Sequence, residues 1–384
     1  MDFETMCVHG SLSLADPTGA VSVPIYQTAT FAHPGVGQST GYDYSRVQNP
    51  TRAALEKTVA ALEGGCEALA FSSGMAAITV MLALFAPGDH IVASDDLYGG
   101  TVRLFNTVAS NFGVIFEYVD TSIPSSLEKS LRPETKAIYL ETPTNPKMLV
   151  TDIAAAARLA RVHDLMLIVD NTFLTPAFQK PIALGADLVV HSGTKYLAGH
   201  NDTLAGFLVT NNAMIAERLR LLYKTIGACL SPFDSWLVLR GIKTLSVRLH
   251  QQQKTALELA DWLGSHPKVR AVHYPGLPSH PGYAVSRRQS TGFGAMISFE
   301  TTDEETARRT LERVRLIQYA ESLGGVESLI TYPTLQTHAD LPEQQRASKG
   351  IDGHLLRLSV GLETADDLIA DLEYALGGHR EFGF

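Results

Sequence analysis

The stretch Ala186-Asp-Leu-Val-Val-His-Ser-Gly-Thr-Lys195-Tyr-Leu-Ala-Gly-His-Asn-Asp202 decides how the chain is read. A short apolar run, Leu188 to Val190, ends in small polar residues, and Lys195 follows with hydroxyls at Ser192 and Thr194. An apolar run of that length, bounded by turn residues, predicts a buried β-strand that delivers a lysine into a polar site. An amine beside small hydroxyls suits a nucleophile next to a phosphate. The same residues also read as a plain strand-to-loop turn with a solvated lysine, and the rest of the chain has to decide between the two.

Upstream, Glu67 to Phe71, His90 to Ala93, Val114 to Val119, Lys136 to Leu140 and Leu165 to Val169 are further short apolar runs. Leu204 to Val209 is one more, downstream. Helical patterns separate them at Ala76 to Phe85, Tyr98 to Phe112 and Ile153 to His163. The alternation predicts an α/β fold whose mainly parallel sheet is covered on both faces. Ligands of such sheets collect beyond the carboxyl ends of the strands, and five candidate groups follow a strand end here.

The flanks read differently. The first forty-odd residues are rich in Pro and Gly and carry little helical periodicity, so residues 1–48 are expected as an arm lying on the rest of the molecule or on a neighbouring subunit. Asn49-Pro50-Thr51 starts a helix with Leu55, Val59 and Leu62 on one face, opening a large domain over 49–244. Pro232 to Gln253 reads as one long linking helix. Residues 245–384 mix helices (Thr255 to Leu263, Glu304 to Val314, Ala365 to Leu376) with strands (Val269 to His273, Ala295 to Glu300, Leu355 to Ser359), a smaller α+β domain. Pro275 to Thr291, with three prolines, reads as a loop.

Composition excludes several classes. Of 384 residues, 45% are hydrophobic and 18% charged, which fits a folded globular chain. A net charge of −9 argues against attachment to nucleic acid or an anionic membrane. Three scattered cysteines, Cys7, Cys66 and Cys229, give neither a disulfide framework nor a zinc site. The longest apolar stretch, Met75 to Ala86, falls short of the roughly 20 residues a membrane span needs. A soluble, cytoplasmic protein without a metal is expected.

Several positions carry chemistry. Gly74, between Ser73 and Met75 at a strand-to-helix turn, allows backbone N–H groups to face an anion. Asp170 ends an apolar strand, where a carboxylate is costly unless paired; a protonated pyridine nitrogen is one partner, and a turn or cap aspartate is the other reading. Asn145 sits in the rigid turn Glu141-Thr-Pro-Thr-Asn-Pro146. Tyr98, at a helix start, has a ring that suits stacking on a flat ligand or packing in the core. Arg357 interrupts the apolar run Leu355 to Ser359, and a bidentate carboxylate is its best geometric match.

Jointly the segments YDYSRVQNPTR, SSGMAAI, DLYGGT, ETPTNP, VDNT, HSGTKYLAGHND, ESLGGVESLITYP and LLRLSVGLE resemble the Cys/Met-metabolism group of pyridoxal-phosphate (PLP) enzymes, from Thr18 to the C-terminus. The resemblance implies an aspartate-aminotransferase-like fold (fold type I), a homotetramer built from two active dimers, and small amino-acid substrates. It implies that Lys195 is the Schiff-base lysine, Asp170 the partner of the pyridine nitrogen, and Tyr98 the residue stacked on the ring. Gly74, Met75, Ser192 and Thr194 would hold the phosphate, with Tyr44 and Arg46 reaching it from a neighbouring subunit. Asn145, Ser322 and Arg357 would orient the cofactor and the substrate carboxylate. Gly193 and Ala198 depart from the usual alanine and glycine, small residue for small.

Two positions bear on the substrate within that group. Glu321 resembles the glutamate of cystathionine γ-synthases and γ-lyases, and Arg103 an arginine that receives the far carboxylate of a cystathionine-sized molecule. Both also read as surface ion-pair residues. Gly100 stands where methionine γ-lyases have a reactive cysteine. The segments STGYDYSR, IGACLSPFDSWLVLRGIKTLSVR and ITYPTLQTHADLP look most like Gram-positive cystathionine γ-synthases that also act as O-acetylhomoserine sulfhydrylases. The implied activity is γ-replacement on an O-acylhomoserine, with cystathionine cleavage by a γ- or β-lyase as the alternative.

Overall fold

Seven strands make up the larger sheet of the computed structural model, which describes residues 1–10, 18–337, 339, 344, 346 and 349–378. They are β1 (Glu67–Phe71), β2 (His90–Ser94), β3 (Ile115–Val119), β4 (Thr135–Glu141), β5 (Met166–Asp170), β6 (Leu188–Ser192) and β7 (Gly206–Thr210). Their spatial order is β1-β7-β6-β5-β4-β2-β3. All the pairings among β2 to β6 are parallel, and β7 runs antiparallel to both its neighbours. The mainly parallel sheet expected from the apolar runs is present.

Strands covered on both sides need apolar residues at successive positions, which is what the runs supply. On one face Val169, Val189 and Val209 share a core with Leu55, Val59 and Leu62 of a helix at Pro50–Glu63. On the other, Ile168, Val190 and Leu208 share a core with Ile78 and Met81 of a helix at Gly74–Leu82. Each such aliphatic side chain contributes about 1.5–3 kcal/mol by leaving water. The helix Pro50–Glu63 starts at the expected signal: the Asn49 side chain accepts from the Thr51 and Arg52 N–H groups, and Pro50 takes the first helical position.

The reversed direction of β7 matters for the site. Its first residue, Gly206, pairs with Phe71 of β1 and Ser192 of β6, at the carboxyl ends of both. A Cβ on Gly206 would lie 2.1 Å from the Ser73 carbonyl oxygen, so a glycine is what lets the Ser73-Gly74 turn close over the sheet end.

The second sheet holds β8 (Val269–His273), β9 (Met296–Thr301), β10 (Gln318–Tyr319), β11 (Leu329–Thr331) and β12 (Leu355–Ser359), in the order β10-β11-β12-β9-β8. Helices at Glu304–Arg313 and Ala365–Leu376 accompany it. Within the segment ITYPTLQTHADLP, His338 and Asp340 to Pro342 lie outside the described residues.

Four expectations change. The linking helix is two helices, Pro232–Ile242 and Leu245–Ser265. Gly241 presses on the Ala198 carbonyl, where a Cβ would come within 2.1 Å, and Thr244 leaves helical geometry at φ −110 and ψ 8. Arg248 serves the break, donating from Nη2 to the Gly241 carbonyl (2.9 Å) and from Nε to Thr244 Oγ1 (3.1 Å). The segment expected as a loop after Pro275 contains a helix at Tyr283–Gln289, past its last proline. The N-terminus opens with a helix at Phe3–His9, and a helix at Ala213–Ile226, capped by Asn212, was not read from the pattern. The arm beyond residue 18 is largely exposed; Val21 and Val36 have almost no cover. No helix among the described residues is long and apolar enough to cross a membrane.

Candidate active site

A cavity of about 320 Å³ opens at the carboxyl edge of the larger sheet. The loops after β1, β2, β4, β5 and β6 all reach it, as parallel-sheet geometry requires. Eleven of the fourteen candidate residues border it; Tyr44, Arg46 and Arg103 do not.

Lys195 follows β6, and its Nζ donates to Ser322 Oγ at 2.8 Å. Burial, and then the nearby Arg357 cation, bring its pKa down from the ordinary lysine value to about 8, while the Glu321 carboxylate works the other way. A good share of the amine is therefore neutral near physiological pH. Capture of PLP by cofactor-free protein should accelerate as pH rises and level off above about 8. Glu321→Gln removes the charge that holds the pKa up, so its midpoint should fall; stopped-flow absorbance across pH checks both.

Asp170 ends β5 and is almost fully buried. Its Oδ1 accepts from the Thr172 N–H (3.0 Å) and hydroxyl (2.6 Å), while Thr172 Oγ1 accepts from the Ser192 N–H at 2.8 Å. Burial pushes the Asp170 pKa up, and the two Thr172 bonds hold it down.

Directly across the β4–β5 ladder stands Glu141, also buried, whose Oε2 accepts the Tyr98 N–H at 3.0 Å. Burial and then the Asp170 charge push its pKa well above the carboxylate range. Two carboxyls this close do not both ionise readily, and burial with the Asp170 charge favours the protonated form at Glu141. The sequence reading passed over Glu141 in favour of Asn145 in the same turn. The signal was available: like Asp170, it is a carboxylate ending an apolar strand.

Arg357 lies fully buried in β12. Its Nη1 donates to Asn145 Oδ1 (2.8 Å), and Nη2 donates to the Ser322 carbonyl (3.1 Å) and Thr331 Oγ1 (3.1 Å). Its Nε has no partner, and no carboxylate of the described residues is bonded to the guanidinium. Burial lowers its pKa to about 10. A buried guanidinium bonded only to neutral oxygens suits an incoming carboxylate.

The anion end is built by the helix Gly74–Leu82. Ser73 Oγ accepts from the Ala76 N–H at 3.1 Å, leaving the N–H groups of Gly74 and Met75 as first-turn donors that the helix itself cannot satisfy. A Cβ on Gly74 would meet Ser192 Cβ at 3.0 Å, so Ser192 is packed directly against this turn. Tyr98 is 40% exposed at the cavity edge.

The three outlying residues have plain positions. Tyr44 and Arg46 sit in the exposed arm, Arg46 donating to the Lys224 carbonyl. Arg103 lies exposed on the helix Gly99–Leu104. It is not among the residues that line the cavity of its own chain.

A ring-bearing phosphate fits these residues. A buried aspartate awaits a cation, a desolvated lysine awaits an electrophile, and a helix start awaits an anion. Together with the sheet topology they define a PLP-dependent enzyme of the aspartate-aminotransferase-like fold. The chain belongs to the Cys/Met-metabolism family of these enzymes, whose family model, described as "Cys/Met metabolism PLP-dependent enzyme", matches residues 4–377. It is 50% identical over 373 residues to the cystathionine β-lyase of Lactococcus lactis subsp. cremoris, covering 97% of this chain and 98% of that one. It is 49% identical to the cystathionine γ-synthase/O-acetylhomoserine (thiol)-lyase of Bacillus subtilis, over 94% of this chain and 92% of the relative. The crystal structure of cystathionine γ-lyase from Lactobacillus plantarum complexed with L-serine superposes with a TM-score of 0.96 at 47% identity, covering 98% and 99% of the two chains.

Proposed function

We propose that the protein catalyses γ-replacement on an O-acylhomoserine, with cysteine as the incoming thiol and cystathionine as product, and with sulfide as a second acceptable nucleophile. The observation that carries this reading is Glu321 on the cavity wall beside Ser322, with Lys195 and Arg357 on the same wall system. A carboxylate beyond the reacting end suits the second ammonium of a cystathionine-length molecule.

PLP, when bound, supplies an electron sink for charge at the substrate Cα. Lys195 would hold the cofactor through Nζ, and the same amine, when free and neutral, would take the substrate Cα proton and move protons at Cβ. Loss of the acyl carboxylate from Cγ then allows the cysteine sulfur to bond there. Asp170 keeps a negative charge against the pyridine nitrogen. Tyr98 covers the ring, and Gly74, Met75, Ser192 and Thr194 hold the phosphate. Arg357, oriented by Asn145 and Ser322, takes the α-carboxylate. Tyr44 and Arg46, outside the lining of their own cavity, reach the phosphate of a neighbouring subunit in a homotetramer with shared sites, and Arg103 receives the far carboxylate of the substrate; the reaction is placed in methionine biosynthesis in the cytoplasm.

Cystathionine cleavage is the second reading, because the relative at 50% identity is named a β-lyase. A steady-state panel separates them. Purified enzyme given O-acetyl- or O-succinylhomoserine with cysteine should form cystathionine faster than it releases homocysteine or cysteine from cystathionine. Cleavage without any synthesis would overturn the first reading and support the second.

A further inference from the structure

Three successive residues of the turn after β4 are each held by the second sheet. Arg357 Nη1 donates to Asn145 Oδ1 at 2.8 Å, Ser298 Oγ donates to the Pro146 carbonyl at 2.6 Å, and Lys147 Nζ pairs with Glu300 Oε1 at 3.4 Å. The three holders share one face. Arg357 and Ser298 are opposite each other in the β12–β9 ladder, and Glu300 lies two residues beyond Ser298, where side chains point the same way.

The arrangement is braced on both sides. Glu300 also accepts from Arg270 Nε and His273 Nε2, each at 2.8 Å, and these bonds bring its pKa down to about 2. At the other end, buried Asp96 accepts from the Thr144 hydroxyl and from the Lys147 N–H (3.0 Å). Asp96 is two residues from Tyr98, so one short turn ties the ring-covering residue to the carboxylate-binding one.

We propose that Ser298 and Glu300 are positioning residues for the substrate-carboxylate subsite: by gripping Pro146 and Lys147 they hold Asn145 on Arg357 and so set where the guanidinium faces the cavity. The inference rests on the reading that Arg357 binds the α-carboxylate. Neither residue borders the cavity, so each acts only through the turn. Ser298 is completely buried, and removing its hydroxyl leaves the Pro146 carbonyl without that donor.

The test compares two unreactive probes on the PLP-loaded enzyme: L-norleucine, and pentylamine, which is norleucine without its carboxylate. Affinity comes from the absorbance change on titration. The wild type should prefer norleucine. Ser298→Ala, Glu300→Gln and Lys147→Met should each reduce that preference by roughly tenfold, with pentylamine affinity and cofactor retention unchanged, and should raise KM while kcat holds. The double variant Glu300→Gln/Lys147→Met should lose less than the two singles added together, since the two residues share one pair. Arg357→Ala is the reference. If it leaves the preference intact, the carboxylate reading itself fails. If it abolishes the preference while the Ser298, Glu300 and Lys147 variants keep it in full, the positioning role is overturned. Should Ser298→Ala not fold, the Glu300 and Lys147 variants decide alone.

Discussion

Replacing Lys195 by alanine is expected to abolish turnover, by at least roughly 10⁴-fold, and to remove covalent attachment of the cofactor. Among the described residues no other lysine borders the cavity, so no neighbouring amine stands ready to take over. The amine is prepared for two tasks by the same surroundings. Burial and Arg357 lower its pKa to about 8, which makes it both a nucleophile and a base, and Ser322 Oγ fixes it at 2.8 Å. Losing both tasks together explains why the expected effect exceeds that of any single contact. Borohydride reduction followed by intact mass measurement checks the attachment: wild type should gain the cofactor mass and Lys195→Ala should not. Lys195→Arg should fail as well, because a guanidinium stays protonated. A yellow Lys195→Ala protein turning over at the normal rate would remove Lys195 from the chemistry.

The larger sheet was legible because strands covered on both faces are apolar throughout, and Asp170, Asn145 and Lys195 lie at or just beyond the ends of such runs. That is why Lys195, Asp170 and Asn145 stand out together in the sequence. The direction of β7 was not legible, since Gly206–Thr210 is fully buried and reads the same either way. The break between Ile242 and Leu245 depends on Gly241 meeting Ala198, a tertiary contact that helical periodicity does not encode. The helix Ala213–Ile226 does carry a legible stripe, Ile215, Leu219, Leu222 and Tyr223 at helical spacing behind the Asn212 cap. β10 and β11, of two and three residues, are shorter than any usable pattern. In the site, Arg103 rests on resemblance alone, and it does not line the cavity of its own chain. Glu141 was legible as a carboxylate ending an apolar strand, but its pairing with Asp170 across the ladder was not.

That pairing makes the second large prediction a contrast. Asp170→Asn should fold normally, because Asn retains an Oδ1 to accept from both Thr172 donors. It carries no charge, however, and removing a preorganised electrostatic partner from a water-poor site costs roughly 10²- to 10³-fold in kcat. The Glu141→Gln variant should behave differently. Glutamine is neutral, as Glu141 is already held to be by burial and by Asp170, and its amide oxygen still accepts from the Tyr98 N–H. Activity within a few-fold of wild type is therefore expected there, with thermal melting unchanged for both variants. The ordering carries the argument: if Glu141→Gln were the crippled variant and Asp170→Asn the mild one, the proton would rest on Asp170 and the anion facing the pyridine nitrogen would be Glu141. Steady-state kcat for the two variants, measured side by side at one pH with saturating cofactor, separates these cases, because only the carboxylate that carries the charge distinguishes them.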